Sequence, residues 1–537
     1  MKNSRLILTA IICSFITFRA VPLNACTNIL VSRGASSDSS TMITYAADSH
    51  ELYGELYYFP EKDHKEGAMI DIYEWDTGKY LGEIDQVSHT YRVVGNMNEH
   101  QVVISETTFT GREELQDTTG IIDYGSLMYI TLQRAKTARE AIRIMDELVS
   151  QYGYYSTGES FSIADPNEVW IMEMIGKGPG NKGAVWVARK VPEGYIAAHA
   201  NQARITTFPL DDPGNCMYSE DVISFAREKG YFEGKDEAFD FTAAYAPIDF
   251  MGLRFCESRV WSVFRRVTSN MEQYREYAMG DTTQPRMPLW VKADDKVSVH
   301  DVMELMRDHF EGTPMDMTRD IGAGPYQRPY RWRPLVWEHE GKEYFNERAI
   351  STQQTGFSFV SQSRNYMPDE IGGILWFGVD DTYSTCYVPM YSSIRNPPHH
   401  FAVGTGSFHE FSWESAFWVF NFVSNYAYKR YADMILDVRK VQKRLENKFF
   451  TYQSAIEKAA MELYRADPEF ARDYLTDYSH KQTKMVLDEW KSLGEHLIYK
   501  YLDGNPKDED GNVTHPPYPD FWYDEIIEDT GDFFEMK

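Results

Sequence analysis

The sequence predicts an α+β protein with a helical C-terminal extension. Three observations carry this. Short runs rich in Val, Ile, Tyr and Phe, punctuated by Gly, Pro, Asn and Asp, recur between residues 27 and 391, as strands do. Within that region 127–149 places apolar residues three and four apart, the spacing of one helix face. From residue 413 helical spacing takes over, with Lys and Glu on the polar faces. The expected divisions are a leader over 1–25, a strand-rich body over 26–412, and a helical region with an acidic tail over 413–537. A chain of 537 residues suits two to four domains, or one large sandwich with insertions.

The leader reads as a secretory signal peptide. Lys2 and Arg5 precede an apolar stretch over 6–18, Pro22 breaks it, and Ala25 is the small residue at the cut. The stretch falls short of the ~20 helical residues that span a bilayer. Cleavage after Ala25 makes Cys26 the first residue of an exported, periplasmic or extracellular chain. Such a cysteine carries a thiol and an α-amine of intrinsic pKa about 7.7–8.0, so nucleophile and base share one residue. Three other readings compete. Cys26 is then a structural or disulfide-bonded cysteine. Or Leu23-Asn24-Ala25-Cys26 is a lipobox, and lipid anchoring consumes the thiol and blocks the amine. Or cleavage after Ala20 leaves the amine in a peptide bond. Against the lipobox stand Asn24, where a small residue is usual, and the strand-like Thr27-Asn28-Ile29-Leu30-Val31 in place of a polar tether.

The elements follow in order. Strand 27–31, a small-residue turn over 32–40 and strand 41–45 form a hairpin. Its return brings Asp48 beside Cys26, where a carboxylate can orient an amine; a helix cap or loop residue is the plain alternative. Tyr-rich short strands fill 52–92. Over 95–106 a loop enters a strand, and Asn98 there is either an oxyanion donor or a turn former. After the helix over 127–149, closed by Gly153, two hairpins are expected. One turns at Asp165-Pro166-Asn167, the other at Val191-Pro192-Glu193-Gly194. Asn201 leaves a sheet edge in Ala200-Asn201-Gln202-Ala203-Arg204-Ile205, where site residues and structural hydrogen bonds are both found. Helical spacing covers 219–229 and 298–310. Arg259 lies between them among apolar neighbours and calls for a buried carboxylate partner. Strands return over 351–363 and 373–391. Helices are expected over 413–447, 451–465 and 482–501, and loop from 503 onward.

The net charge of −27, about −30 once Lys2, Arg5 and Arg19 leave with the leader, speaks against nucleic-acid binding. No later apolar run is long enough for a membrane span. Four cysteines remain after the leader: Cys26, Cys216, Cys256 and Cys386. If Cys26 stays free, at most one disulfide forms, for example Cys216 with Cys256. There is no CxxC, GxSxG, GxxxxGK or HExxH, and His399-His400 after Pro397-Pro398 reads as a surface loop. No metal and no cofactor are therefore expected.

The segment over 26–40, Gly95-Asn96-Met97-Asn98-Glu99, the Ala200–Ile205 run and Ser258-Arg259 together resemble the dipeptidase A-like cysteine peptidases. These are N-terminal-nucleophile hydrolases related to penicillin V acylase and bile salt hydrolase. The resemblance covers about residues 26–425. It implies a four-layer αββα sandwich and hydrolysis of dipeptides or short peptides. It also implies roles: Cys26 as nucleophile, Asp48 holding its amine, Asn98 and Asn201 stabilising the oxyanion. Arg259 would lie beside the thiol and a neighbouring carboxylate. The resemblance also implies one departure: cytosolic-type relatives tend to have Arg-Asn before the acidic pair, where this chain has Tyr45-Ala46. The expected partner is a small peptide substrate, with homo-oligomerisation left open. A linear-amide acylase of the same fold, or a lipid-anchored non-catalytic protein, are the alternatives.

Overall fold

A computed structural model describes residues 26–332 and 334–537, so the expected leader over 1–25 lies outside the described residues. Two antiparallel sheets form the body. The first runs in the order Trp290–Lys292, Tyr195–His199, Asn28–Val31, Met42–Asp48, Thr355–Gln362, Ile374–Val379 and Val388–Tyr391. The second runs Cys216–Tyr218, Ala184–Lys190, Val169–Gly176, Gly158–Ala164, Val103–Thr110, Met97–Asn98, Val93–Val94 and Tyr58–Phe59.

The N-terminal hairpin forms as expected. Leu30 faces Ile43 and Val31 faces Met42, and a bridge between Thr27 and Ala46 carries the register toward Cys26. Its turn is knitted by Asp38, which accepts from the hydroxyls of Ser36 and Ser40 at 2.6 Å each. The strand Met42–Asp48 touches Val103–Thr110 and Gly158–Ala164 of the other sheet. A section through the centre passes from helix Ala138–Tyr152 to strand Gly158–Ala164, to strand Met42–Asp48, to helix Val299–Met306, each in contact with the next. Strands covered on both faces need apolar or satisfied residues throughout, and every residue of Met42–Asp48, Gly158–Ala164 and Val169–Gly176 is buried.

The space between the sheets is partly polar. Asn28 donates to the hydroxyls of Ser105 at 3.0 Å and Ser162 at 3.3 Å, and Ser105 donates to the Thr44 carbonyl at 3.0 Å. The His199 ring sits 2.7 Å from both the Thr107 and Ser162 hydroxyls. Burial, then the charge of Arg204, pushes this imidazole down to about 3, so it is neutral at any ordinary pH.

Three expectations need correction. The stretch 127–149 is two helices, Tyr124–Leu132 and Ala138–Tyr152. Thr137 restarts the second by accepting from the Glu140 N–H, and Asp165 accepts from the Ala138 N–H at 2.9 Å. The second hairpin does not form. Ala184–Lys190 belongs to one sheet and Tyr195–His199 to the other, so Val191-Pro192-Glu193-Gly194 is a crossing between sheets. Backbone pairing with Asn28–Val31 wins over local return. The tail is not all loop, since Asp520–Thr530 is helical. Of the cysteines, whose pairing the sequence left open, Cys26, Cys216, Cys256 and Cys386 are all free and buried.

The C-terminal helices lie on the first sheet. Ala416–Ala427 packs on Ile374–Val379, and Tyr431–Ala466 with Pro468–Lys500 packs on Val388–Tyr391. Asp467 separates the two long helices, its carboxylate accepting from the Glu469 N–H while Pro468 takes the first helical position. No helix among the described residues is long and apolar enough to cross a membrane.

Candidate active site

Cys26 precedes a central strand of the first sheet and keeps 6% of its surface exposed. Its sulfur lies 3.8 Å from Glu106 Oε1 and 4.0 Å from the Tyr45 hydroxyl. Tyr45 in turn donates a short hydrogen bond to Glu106 Oε1. Glu106 neighbours Glu159, which accepts from the Thr108 hydroxyl at 2.9 Å. Burial pushes the Cys26 thiol well above its ordinary range, and the carboxylates of Glu106 and Asp48 push it further. The Asp48 backbone N–H, donating to the sulfur, opposes them. Left to itself, this sulfur is a thiol, and a thiolate needs a base at hand.

Asp48 ends the returning strand of the hairpin, one residue beyond the position opposite Cys26. The Thr355 hydroxyl donates to its Oδ1 at 2.6 Å. The short loop 32–40 fixes this proximity, because the paired register leaves no slack between the two residues.

Arg259 is fully buried. A π-helical turn, Gly252–Glu257, leads into its helix, Ser258–Val267. Its guanidinium donates to the Cys26 carbonyl at 2.7 Å, the Thr27 hydroxyl at 2.8 Å, Asn201 Oδ1 at 2.9 Å, the Ala200 carbonyl at 3.2 Å and the Phe255 carbonyl at 2.7 Å. The expected carboxylate partner is therefore replaced by neutral oxygens. Five donors in a rigid fork clamp the Cys26 backbone to the Asn201 turn.

Asn201 adopts φ 59°, a left-handed conformation that Asn tolerates better than most residues. It gives one amide proton to the Thr108 carbonyl at 2.8 Å, and the other has no acceptor among the described residues. The turn is held from below. Glu173 accepts from the Arg204 N–H at 2.5 Å and the Ile205 N–H at 3.0 Å, and burial raises its carboxyl to about 7 against those two donors. Arg204 pairs with Glu257 at 2.7 Å, both buried.

Cys26, Asp48, Asn201 and Arg259 thus converge. Asn98 does not join them. Its amide protons go to the Leu132 carbonyl at 2.8 Å and the Ala135 carbonyl at 2.7 Å. Its Oδ1 accepts from the His100 and Val102 N–H groups, both at 3.0 Å. Both donors are spent pinning a loop to a helix end, so none is left for an oxyanion. Sequence reasoning missed Tyr45 as a working residue, and missed Glu106 and Glu159. The signal for the two glutamates is a charged residue inside a run otherwise fit for a buried strand. Outside this constellation, His399, His400 and Glu414 bring ligand atoms within 4.8 Å of one another on a partly exposed surface.

A family model described as Peptidase family C69 matches residues 54–444. A probable dipeptidase of Latilactobacillus sakei is 25% identical over 396 residues, covering 70% of this chain and 76% of that protein. Dipeptidase A of Lactobacillus helveticus is 24% identical over 396 residues, with the same coverage. A probable dipeptidase A of Streptococcus pyogenes serotype M3 is 22% identical over 492 residues, covering 86% of this chain and 96% of that protein.

Proposed function

This chain belongs to peptidase family C69, and from that premise we propose that it is a cysteine-type dipeptidase whose nucleophile is Cys26. The names of its relatives support hydrolysis of dipeptides. The single observation that carries the residue assignment is the meeting of Cys26, Asp48, Arg259 and Asn201 at the end of one central strand. The layered packing supports the αββα N-terminal-nucleophile sandwich, in which a chain begins at its nucleophile.

The reaction follows from the residues. Removal of 1–25 during export leaves Cys26 with a free amine beside its own thiol. The amine takes the thiol proton, and the sulfur attacks the scissile carbonyl carbon. A C–S bond forms, the carbonyl π-electrons move to oxygen, and the uncommitted Asn201 amide proton meets the oxyanion. The intermediate collapses, the C–N bond breaks, and the ammonium of Cys26 returns its proton to the leaving amine. Water, deprotonated by the same amine, then hydrolyses the thioester and regenerates the thiol. Asp48 orients the amine and stabilises its charged form. Arg259 positions the Cys26 carbonyl and Asn201, and so acts through them.

The test is Cys26→Ala in the chain that begins at residue 26, assayed on a panel of dipeptides and linear acyl amides. The expected result is dipeptide cleavage by the parent chain, no cleavage by the variant, and the same melting temperature for both. Full activity in the variant, or cleavage of acyl amides alone, would overturn the reading.

A further inference from the structure

Glu106 and Glu159 are 1% exposed each, and they face one another beside the Cys26 sulfur. Each has one carboxylate oxygen, Oε2, that receives no N–H or O–H from any third residue, and the two carboxyls lie within hydrogen-bond reach of each other, so the empty pair shares a proton. The other oxygens are served by neutral hydroxyls, Tyr45 on Glu106 and Thr108 on Glu159. Neither carboxylate forms an ion pair among the described residues, whereas the buried Glu446 and Glu257 each hold an arginine. Two adjacent buried acids without a cation are costly to ionise, and a stable fold has little reason to keep them for packing. Toward solvent the negative field continues. Glu106 feels the charge of Asp76, an exposed residue whose Oδ1 accepts from the Tyr124 hydroxyl at 2.8 Å.

We propose that Glu106 and Glu159 form the recognition site for the free α-ammonium of the substrate's first residue. The inference rests on Cys26 being the nucleophile. Geometry makes the match. In a dipeptide the α-nitrogen is two bonds from the scissile carbonyl carbon, about 2.5 Å away. That carbon must approach the sulfur to about 3–3.5 Å. Glu106 Oε1 lies 3.8 Å from the same sulfur, which brings the Glu106 carboxylate within charge-assisted hydrogen-bond reach of the ammonium. On binding, the shared proton leaves to solvent, the Oε2 atoms accept from the ammonium in its place, and the missing cation comes with the substrate. A site built this way selects peptides with an unblocked amino terminus and cuts after their first residue. The Tyr45 phenol on Glu106 is neutral and leaves the pair without a counter-ion of its own.

The test compares three substrates of equal length on the chain that begins at Cys26: a free dipeptide, its N-acetyl derivative, and the desamino analogue with hydrogen in place of the amino group. The expected kcat/KM for the free dipeptide exceeds the other two by at least about 100-fold, as for a site whose buried polar groups are left unpaired by the wrong ligand. In Glu159→Gln, with Cys26 still alkylated stoichiometrically by iodoacetamide, that ratio falls at least tenfold, mainly through KM of the free dipeptide. Equal cleavage of all three substrates by the parent chain would overturn the inference and leave the hydrolase reading standing. A Glu159→Gln loss that is the same for all three would assign the pair to the amine of Cys26 itself, and would also overturn it. Cleavage of none of them would fell the hydrolase reading, and this inference with it.

Discussion

At the scale of single residues, the site is a contest between burial and charge. Cys26 lies among carboxylates and its thiol is pushed up, and in the proposed reaction a free amine at the same residue supplies the base. Tyr45 carries the next consequence. Its hydroxyl is the donor that serves Glu106 Oε1, and Tyr45→Phe leaves a buried carboxylate with one donor fewer. Losing a partner to a buried acceptor costs about 1–3 kcal/mol. The urea midpoint of Tyr45→Phe therefore falls with an unchanged slope; an unmoved midpoint would mean that the hydroxyl does not support Glu106. The nearness of Cys26 and Asp48 was legible, because a short turn and strand periodicity leave only one register. Arg259 was legible as buried but not in its partners. The five oxygens it holds come from residues 26, 27, 200, 201 and 255, and only the folded chain brings them together. Asn98 shows the opposite failure, since a loop asparagine looks the same in sequence whether its amide points into a site or clamps a helix end.

At the scale of elements, local pattern read well where pairing is local and poorly where the chain leaves one sheet for the other. The hairpins at Asn28–Val31 with Met42–Asp48 and at Gly158–Ala164 with Val169–Gly176 return on themselves. At Val191-Pro192-Glu193-Gly194 an equally good turn sequence becomes a crossing, because Tyr195–His199 finds its partner 167 residues upstream in Asn28–Val31. Charge also fastens elements to each other. Glu304 on helix Val299–Met306 receives Arg307 at 2.8 Å and Arg439 of helix Tyr431–Ala466 at 2.6 Å. Burial raises this carboxyl, but the two guanidinium groups outweigh it and hold it down at about 2. Its unfolded value is about 4.3. The folded state thus binds fewer protons than the unfolded state between those values. The stabilisation from Glu304 is complete above about pH 4.3 and is lost as pH falls toward 2. Glu304→Gln is therefore less stable than the parent near neutrality, and the gap closes over that acid window in urea titrations. A gap that stays constant from pH 6 to pH 2 would contradict the assignment.

At the scale of the whole molecule, the C-terminal helices are joined to the sheets by more than apolar contact. Arg307 binds Glu446 at 2.5 Å and Arg364 binds Glu457 at 2.6 Å, with all four side chains buried. A single apolar core runs from Ile43 and Phe359 in the sheets to Leu445, Leu487 and Trp490 in the helices. Sequence showed the change of character at residue 413 but not this continuity, since amphipathic spacing marks a buried face without saying what covers it. The central claim concerns the chain's start, where one residue is asked to supply both nucleophile and base. Intact-mass spectrometry of the exported protein tests it most directly. The account predicts a mass that begins at Cys26 with an unmodified amine and thiol. A chain that begins elsewhere, or a lipid adduct on Cys26, would contradict it.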